Sequence, residues 1–542
     1  MKKNNFLEGS FIATFGIIIC KIIGLLYVIP FYAMITNMGA SLYSYAYSIY
    51  SVFLSLSTSG IPFAMSKLVS EYNALEYYNT KERVYKIGMK IIAALGIFFF
   101  FVLFITAPYI ASFILGKTTG GNTPGDITLV IRTVSVALLI VPFLSVAKGY
   151  LQGHKYITPA SVSNIIEQLV RVIIIIAGCF ISLKLMGIEE RYAIATSVLA
   201  AAIGALFAYI YLIIKIYKNK DKLHRHEKIT RHEAKYTNRY LLKQIIYCAV
   251  PFIIVDVLKS AYNLVDTLTV VRTLTDLGYS NTIAETTFSI IGTWGSKLSM
   301  IIISISMGIS ISLIPNIAES YVKKNKSEVE LRTNQAIQTL MFLVIPMTIG
   351  IFFLARPIWI LFYEYNPFSF QVFRMFIIQS ITFSLISILI NIIQTTNHTK
   401  TAITVLFLSF LANALLNIPM MHFCHNIGFG GYQGASVATL ITQIIPCIYL
   451  LYYIKRKFQI NYKAAKINCT KIVLITAIMI ISLMIISLFY PINSTNRMEA
   501  LIETIVYSII GGIIYFILSY KSGLFHSLFG NRFSIFHKKK TS

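Results

Sequence analysis

The chain has 542 residues, 56% hydrophobic and only 13% charged, with a mean hydropathy of +0.71. Soluble domains carry roughly 45–50% apolar and about 25% charged residues, so a soluble globular domain is excluded. The net charge of +26 would suit a nucleic-acid binder, but the basic residues sit between long apolar windows, where they meet anionic lipid headgroups; no nucleic-acid partner is expected.

Apolar windows of about 20 residues, each long enough to cross a bilayer, recur along the whole chain. In chain order they cover residues 9–36, 41–66, 87–115, 127–151, 160–184, 191–216, 243–272, 286–316, 335–362, 369–393, 401–421, 433–454, 470–490 and 500–520. They are continuously apolar rather than alternating, which excludes a β-barrel. The expected fold class is all-α: a polytopic membrane protein of about 14 transmembrane helices.

Charge orients these spans. The N-terminus, the loops after even-numbered helices and the tail hold roughly 34 of the 47 Lys and Arg, and excess basic charge stays cytoplasmic. Both termini are expected on the cytoplasmic side of the plasma membrane. The six cysteines are scattered without disulfide or metal spacing. "HRHEKITRH" (His224–His232) reads as a solvated basic loop rather than a metal site. "HFCHN" (His422–Asn426) offers two histidines on the outer face. "GKTTGG" (Gly116–Gly121) lacks the upstream glycine of a phosphate-binding loop.

Two pairs of segments point to an internal repeat. "SGIPFAMSKLVSEY" (Ser59–Tyr72) and "SLIPNIAESYVKKN" (Ser312–Asn325) both place Ile-Pro at the inner end of a span, before a short polar segment. "YLQGHKYITPASVSNII" (Tyr150–Ile166) and "IIQTTNHTKTAITVLFL" (Ile392–Leu408) both carry Gln, then His and Lys, then small residues opening the next span. Six helices therefore repeat six helices in the same orientation, an arrangement that builds two-lobed transporters. The expected division is an N-lobe at 1–217 (helices 1–6), a cytoplasmic basic loop at 218–242 and a C-lobe at 243–454 (helices 7–12). Helices 13 and 14 follow at 455–520, and a cytoplasmic basic tail at 521–542.

Ionisable groups within spans are expensive and tend to face a cavity. The candidates are Lys21 in "GIIICKIIGLLYVIP" (Gly16–Pro30), Glu167 and Arg171, Asp256 and Lys259, Asp266, and Lys297. Glu167 and Arg171 are spaced i,i+4 and Asp256 and Lys259 i,i+3, so each pair can neutralise itself within its helix. Lys21 and Lys297 have no opposite charge within a turn, and are expected to line one wet cavity that takes an anion. On helix 2, Tyr43, Tyr47 and Tyr50 share one face, with Ser48, Ser51 and Ser55 on a nearby one. Such residues can line a sugar-binding cavity, anchor at the interface or pack helices closely.

"GASLYSYAYSIYSVFLSLSTSGIPFAMSKLVSEYNA" (Gly39–Ala74) resembles the signature region of the stage V sporulation protein B and polysaccharide-export branch of the MOP exporter superfamily, in particular its MurJ-type lipid II flippases. "NIIEQLVRVIIII" (Asn164–Ile176), "LVDTLTVVRTL" (Leu264–Leu274) and "VIPMTIGIFFLARPIWILFY" (Val344–Tyr363) extend the likeness over nearly the whole chain. The resemblance implies a flippase, not an enzyme, that moves an undecaprenyl-pyrophosphate-linked saccharide from the inner to the outer leaflet by alternating access. It implies a lipid-tail groove beside helices 13 and 14. Its partners would be the lipid-linked oligosaccharide, membrane lipids and the cell-wall synthesis machinery.

Position by position, Lys21 matches a basic site of helix 1 and Lys297 falls near the basic site of helix 8. The Gram-negative branch has further basic residues where this chain has Tyr27 and, on helix 2, Leu54 and Ser55. Lys21, Lys297, Arg171, Glu167, Lys259, Tyr47 and Tyr50 are the expected cargo-binding residues. Some relatives resemble sodium-coupled carriers, and Asp266, Asn413, Asn417 and Thr439 fall at the matching positions. A carboxylate, amide oxygens and a hydroxyl suit a hard cation, and the same groups can simply bond between helices. No cofactor is expected other than Na+ or H+ for coupling. Other readings are a teichoic, capsular or spore-coat precursor exporter, a multidrug/cation antiporter of the same superfamily, and a membrane glycosyltransferase. Fourteen spans and cavity lysines favour the flippase over the antiporter, and short outer loops disfavour the enzyme.

Overall fold

Within hydrocarbon, a single apolar segment satisfies its backbone only as a helix, and helix is the regular form throughout. The structure is a computed structural model that describes residues 15–16, 19–58, 60–115, 121–223, 236–322, 325–396 and 398–529, with no strand among them. The whole His224–His232 run lies outside the described residues, as do 116–120 of the GKT segment and the Lys538–Lys540 tail.

Twelve helices among the described residues are long and apolar enough to cross a membrane: Tyr78–Leu115, Pro124–Gly153, Ile157–Leu185, Glu190–Lys218, Asn238–Asp276, Asn281–Ser306, Lys326–Phe353, Pro367–Thr395, Thr399–Asn426, Gly431–Phe458, Lys463–Phe489 and Arg497–Lys521. They correspond to expected spans 3 to 14. The first two expected spans correspond to the shorter apolar helix Ile19–Tyr32 and to Asn37–Thr58. The all-α polytopic fold is as expected, and the count of fourteen is approximate.

Local chemistry sets several boundaries. Gly60 takes φ +74°, a left-handed conformation open to glycine, and Pro62 lies in the first turn of the next helix, Ile61–Ala74, where its missing N–H costs nothing. The segment after Ile61-Pro62 is therefore a helix of 14 residues rather than a short polar connection. Its repeat partner, Ile314-Pro315, lies inside the continuous helix Gly295–Val322. Thr123 and Asp126 close a reciprocal capping box at the start of Pro124–Ser135. A π-helical turn at Ile290–Trp294 leads directly into Gly295–Val322.

Two compact units emerge from the packing. One holds Met1–Leu298 and Thr399–Thr442, the other Ser299–His398 and Gln443–Ser542. Two of the three boundaries fall inside helices, at 298/299 and 442/443, and the third at the start of Thr399–Asn426. Small residues allow the first unit to pack tightly. At Gly149, on the helix Val141–Gly153, a Cβ would strike the Pro62 carbonyl and lie 2.8 Å from the Pro62 Cα. Backbone cannot move aside as a flexible side chain can. Gly149→Ala is therefore expected to cost about 1–3 kcal/mol as overpacking, read as a lower melting temperature in detergent. An unchanged melting temperature would contradict the tight approach of these two helices.

Candidate functional site

The π-turn places Trp294 and Lys297 one helical turn apart, so both side chains share a face. The Lys297 ammonium lies 4.4 Å from the Tyr27 ring centroid, 4.5 Å from that of Trp294 and 5.4 Å from that of Tyr43. It also donates to the Tyr27 hydroxyl. These rings hold one another: Tyr43 and Trp294 stack at 5.8 Å, and Tyr32 meets Trp294 edge-on at 5.2 Å. Tyr32 is itself fixed by donating to Asn37 Oδ1 at 2.8 Å. Cation–π contacts stabilise a desolvated ammonium by about 2 kcal/mol or more, without cancelling its charge. No carboxylate pairs with Lys297 among the described residues.

A second cluster stands close by. Arg171 donates to Glu167 at 2.7 Å, and Lys148 from the preceding helix donates to the other Glu167 oxygen at 3.0 Å. The i,i+4 pair anticipated from spacing is thus part of a triad. Arg171 lies within electrostatic reach of Lys297 and of Tyr43, Tyr47 and Tyr50. Three cations and one carboxylate leave an excess of two positive charges. Among the described residues, three buried polar atoms here have no hydrogen-bond partner: Arg171 Nε, Tyr50 Oη and Ser48 Oγ. Tyr47 stacks on Tyr43 at 6.2 Å and is 40% exposed, whereas Tyr43 and Tyr50 are buried.

Lys21 is half-buried on Ile19–Tyr32. That helix lies against Ile157–Leu185, with Gly24 facing the Gln168 side chain. Cys20, the neighbour of Lys21, is within electrostatic reach of Lys148, Glu167 and Arg171. Lys21 is six residues before Tyr27, about 9 Å along a helix axis. Lys259 instead pairs with Asp256 at 3.8 Å on its own helix, and both are more than a third exposed.

The four residues matched to a cation site come together as two bonded pairs. Asn417 Nδ2 donates to Asp266 Oδ1 at 2.8 Å, and Asn413 Nδ2 donates to Thr439 Oγ1 at 3.1 Å and to Thr442 Oγ1 at 3.3 Å. All five side chains are buried, and Asn413 Oδ1 has no partner. One carboxylate, an amide oxygen without a partner among the described residues and two hydroxyls are oxygen groups of the chemical type that suits a hard cation. His425 bonds the Tyr279 hydroxyl at 3.1 Å, which in turn accepts from Gly431 N at 3.1 Å, a structural arrangement. Among the described residues no group of three or more His, Cys, Asp or Glu is placed to hold a metal.

In the other compact unit, an apolar groove of about 470 Å³ runs between Lys326–Phe353, Lys463–Phe489 and Arg497–Lys521. Phe342, Pro346, Gly350, Met479, Leu483 and Gly511 line it.

A family model described as polysaccharide biosynthesis protein matches residues 6–279, and a MatE model matches residues 251–419. The lipid II flippase MurJ of Bacillus subtilis is 30% identical over 544 aligned residues, covering 99% of both chains. The chain belongs to the MurJ-like branch of the MOP exporter superfamily. Stage V sporulation protein B of the same organism is 24% identical over 62% of this chain and 63% of its own. A solved lipid II flippase MurJ in an inward closed conformation superposes with a TM-score of 0.68 at 18% identity, covering 95% of this chain and 99% of that one. As a member of this superfamily the chain is a multi-pass membrane transporter rather than an enzyme.

Sequence reasoning missed Tyr27 and Trp294 as partners of Lys297, and Lys148 and Thr442 as members of their clusters. Only Trp294 left a local signal, its i,i+3 spacing from Lys297.

Proposed function

We propose that this MurJ-like transporter carries an undecaprenyl-pyrophosphate-linked saccharide, a lipid II-like cell-wall precursor, from the inner to the outer leaflet by alternating access. The observation that carries this reading is Lys297: an ammonium without a carboxylate partner among the described residues, framed by three rings and reinforced by Arg171. A pyrophosphate supplies the missing counter-charge. Lysine meets it as a point charge without demanding bidentate geometry, which suits a cargo that must be released. Lys21, whose neighbour Cys20 lies within electrostatic reach of the Lys148–Glu167–Arg171 triad, would offer a second phosphate contact. Tyr47 and Tyr50 are the groups for the sugar. The apolar groove between Lys463–Phe489 and Arg497–Lys521 would take the isoprenoid tail, as the family resemblance implies.

Basic loops support cytoplasmic termini, and the repeat supports an N-lobe and a C-lobe moving about the cargo. Enzymes of cell-wall synthesis would supply and consume it. The full-length likeness to MurJ and the positive cluster favour this cargo over a cationic drug. Native mass spectrometry tests it. The wild-type protein is expected to bind lipid II above undecaprenyl phosphate, and Lys21→Ala and Lys297→Ala to lose that preference. Equal binding by all three proteins would contradict the assignment.

Asp266, Asn413, Asn417 and Thr439 would bind Na+ to couple transport, with Thr442 as a further oxygen. Sodium is then expected to raise the melting temperature of the wild type through preferential binding to the folded state. The Asp266→Asn variant should show no such rise. A sodium-dependent rise that survives in Asp266→Asn would contradict this site.

A further inference from the structure

We infer that Glu285 is a positioning residue for transport: its carboxylate clasps the Gly121–Thr123 turn and holds one end of the proposed cargo path shut. Under the charge-based orientation this is the outer end. The inference rests on alternating access, but on no particular cargo.

Glu285 belongs to Asn281–Ser289 and is only 1% exposed. No cation pairs with it among the described residues. Its carboxylate accepts twice from one residue, from the Asn122 backbone N–H at 3.1 Å and from the Asn122 side-chain amide. Asn122 also donates to the Met38 carbonyl at 3.0 Å, and Ser41 Oγ donates to the Glu285 carbonyl at 3.0 Å. Two segments of the first repeat half are thus tied to a helix of the second. Gly121 makes the approach possible. Its φ is +88°, and a Cβ there would collide with Glu285 Oε1.

The pattern is that of a latch. A buried carboxylate without partners is costly, and here every bond it accepts comes from Asn122. Separating the turn from the helix exposes Glu285 to water, which satisfies it equally well. The carboxylate therefore has a bonded partner in both the closed and the open arrangement, and an unsatisfied one only in between. That favours two discrete states over a continuous range. Asn122 also lines an open pocket of about 260 Å³, together with Leu42, Asp126, Glu189, Glu190 and Arg191, and Leu42 is 2% exposed.

The test introduces single cysteines and measures labelling by a membrane-impermeant maleimide in vesicles of each orientation, with the six native cysteines as background. Leu42→Cys reports on the clasped end and Tyr47→Cys, 40% exposed in the wild type, on the proposed cargo path. Asn122→Asp sets two carboxylates against each other. It is expected to speed Leu42→Cys labelling at least about tenfold from the outer face, the low end of the shift given by losing one charged hydrogen bond. Tyr47→Cys labelling from the inner face should slow in the same variant. Adding Glu285→Gln restores a donor–acceptor pair, and both rates should return toward wild type. Unchanged Leu42→Cys labelling, faster labelling at both positions, or no restoration in the double variant would each overturn the clasp. None of these readouts uses a cargo, so failure of the cargo assignment would leave them interpretable.

Discussion

Replacing Lys297 with alanine is expected to weaken binding of a polyprenyl-pyrophosphate saccharide by about 30- to 150-fold. The figure follows from a charged hydrogen bond of about 2–3 kcal/mol. The effect is large because of what surrounds the ammonium. Tyr27, Tyr43 and Trp294 exclude water and favour a cation, but none of them neutralises it. Arg171 nearby adds charge of the same sign. An anion entering here meets an unspent positive charge in a site of low dielectric, where Coulomb attraction is strong. Tyr27→Phe keeps the ring and loses only the hydroxyl that Lys297 contacts. Its expected effect on cargo binding is about tenfold or less, because the Lys297 charge that meets the pyrophosphate is kept. Binding titrations with lipid II separate the two. Equal losses in both variants would mean that the cage, rather than the charge, sets affinity.

Glu167→Ala is expected to lower folding stability by about 3 kcal/mol, the low end for breaking a buried ion pair because these side chains are about one-fifth exposed. The cost comes from what is left behind. Lys148 and Arg171 would face each other across the gap with no carboxylate between them. Arg171→Met added to Glu167→Ala removes one of those charges and should recover part of the loss, since removing both partners costs less than removing one. Thermal unfolding in detergent measures this, with the single variant several degrees below the wild type and the double variant between. A double variant less stable than Glu167→Ala would mean that Arg171 contributes through contacts other than Glu167.

The membrane spans were legible because twenty-residue apolar windows have one structural solution in lipid. Spans 3 to 14 fell on helices for that reason. The break at Gly60 was less legible: the Ile-Pro that follows it starts a helix, while the matching Ile-Pro at 314–315 sits inside one. Whether a proline starts a helix or lies within one depends on the neighbouring backbone, here a glycine at positive φ. Within the site, Glu167 and Arg171 were legible because they share one helix face. Lys148 was not, since its contact with Glu167 spans a helix–helix packing that spacing does not encode. The cage was hidden for the same reason. Tyr27 lies 270 residues from Lys297, and in sequence it registers only as a departure from the basic residue found in Gram-negative relatives. Asp266 and Asn417 are 151 residues apart; only the family resemblance brought them together in advance.

The central claim is that this transporter moves a pyrophosphate-linked lipid across the bilayer. The most direct measurement uses proteoliposomes carrying a fluorescent lipid II analogue, with dithionite quenching from outside to follow the inner-leaflet fraction. Wild-type protein is expected to accelerate exposure of that fraction, while leaving a fluorescent phosphatidylcholine at its protein-free rate and while Lys297→Ala gives little acceleration. No acceleration of the lipid II analogue, or equal acceleration of phosphatidylcholine, would contradict the account.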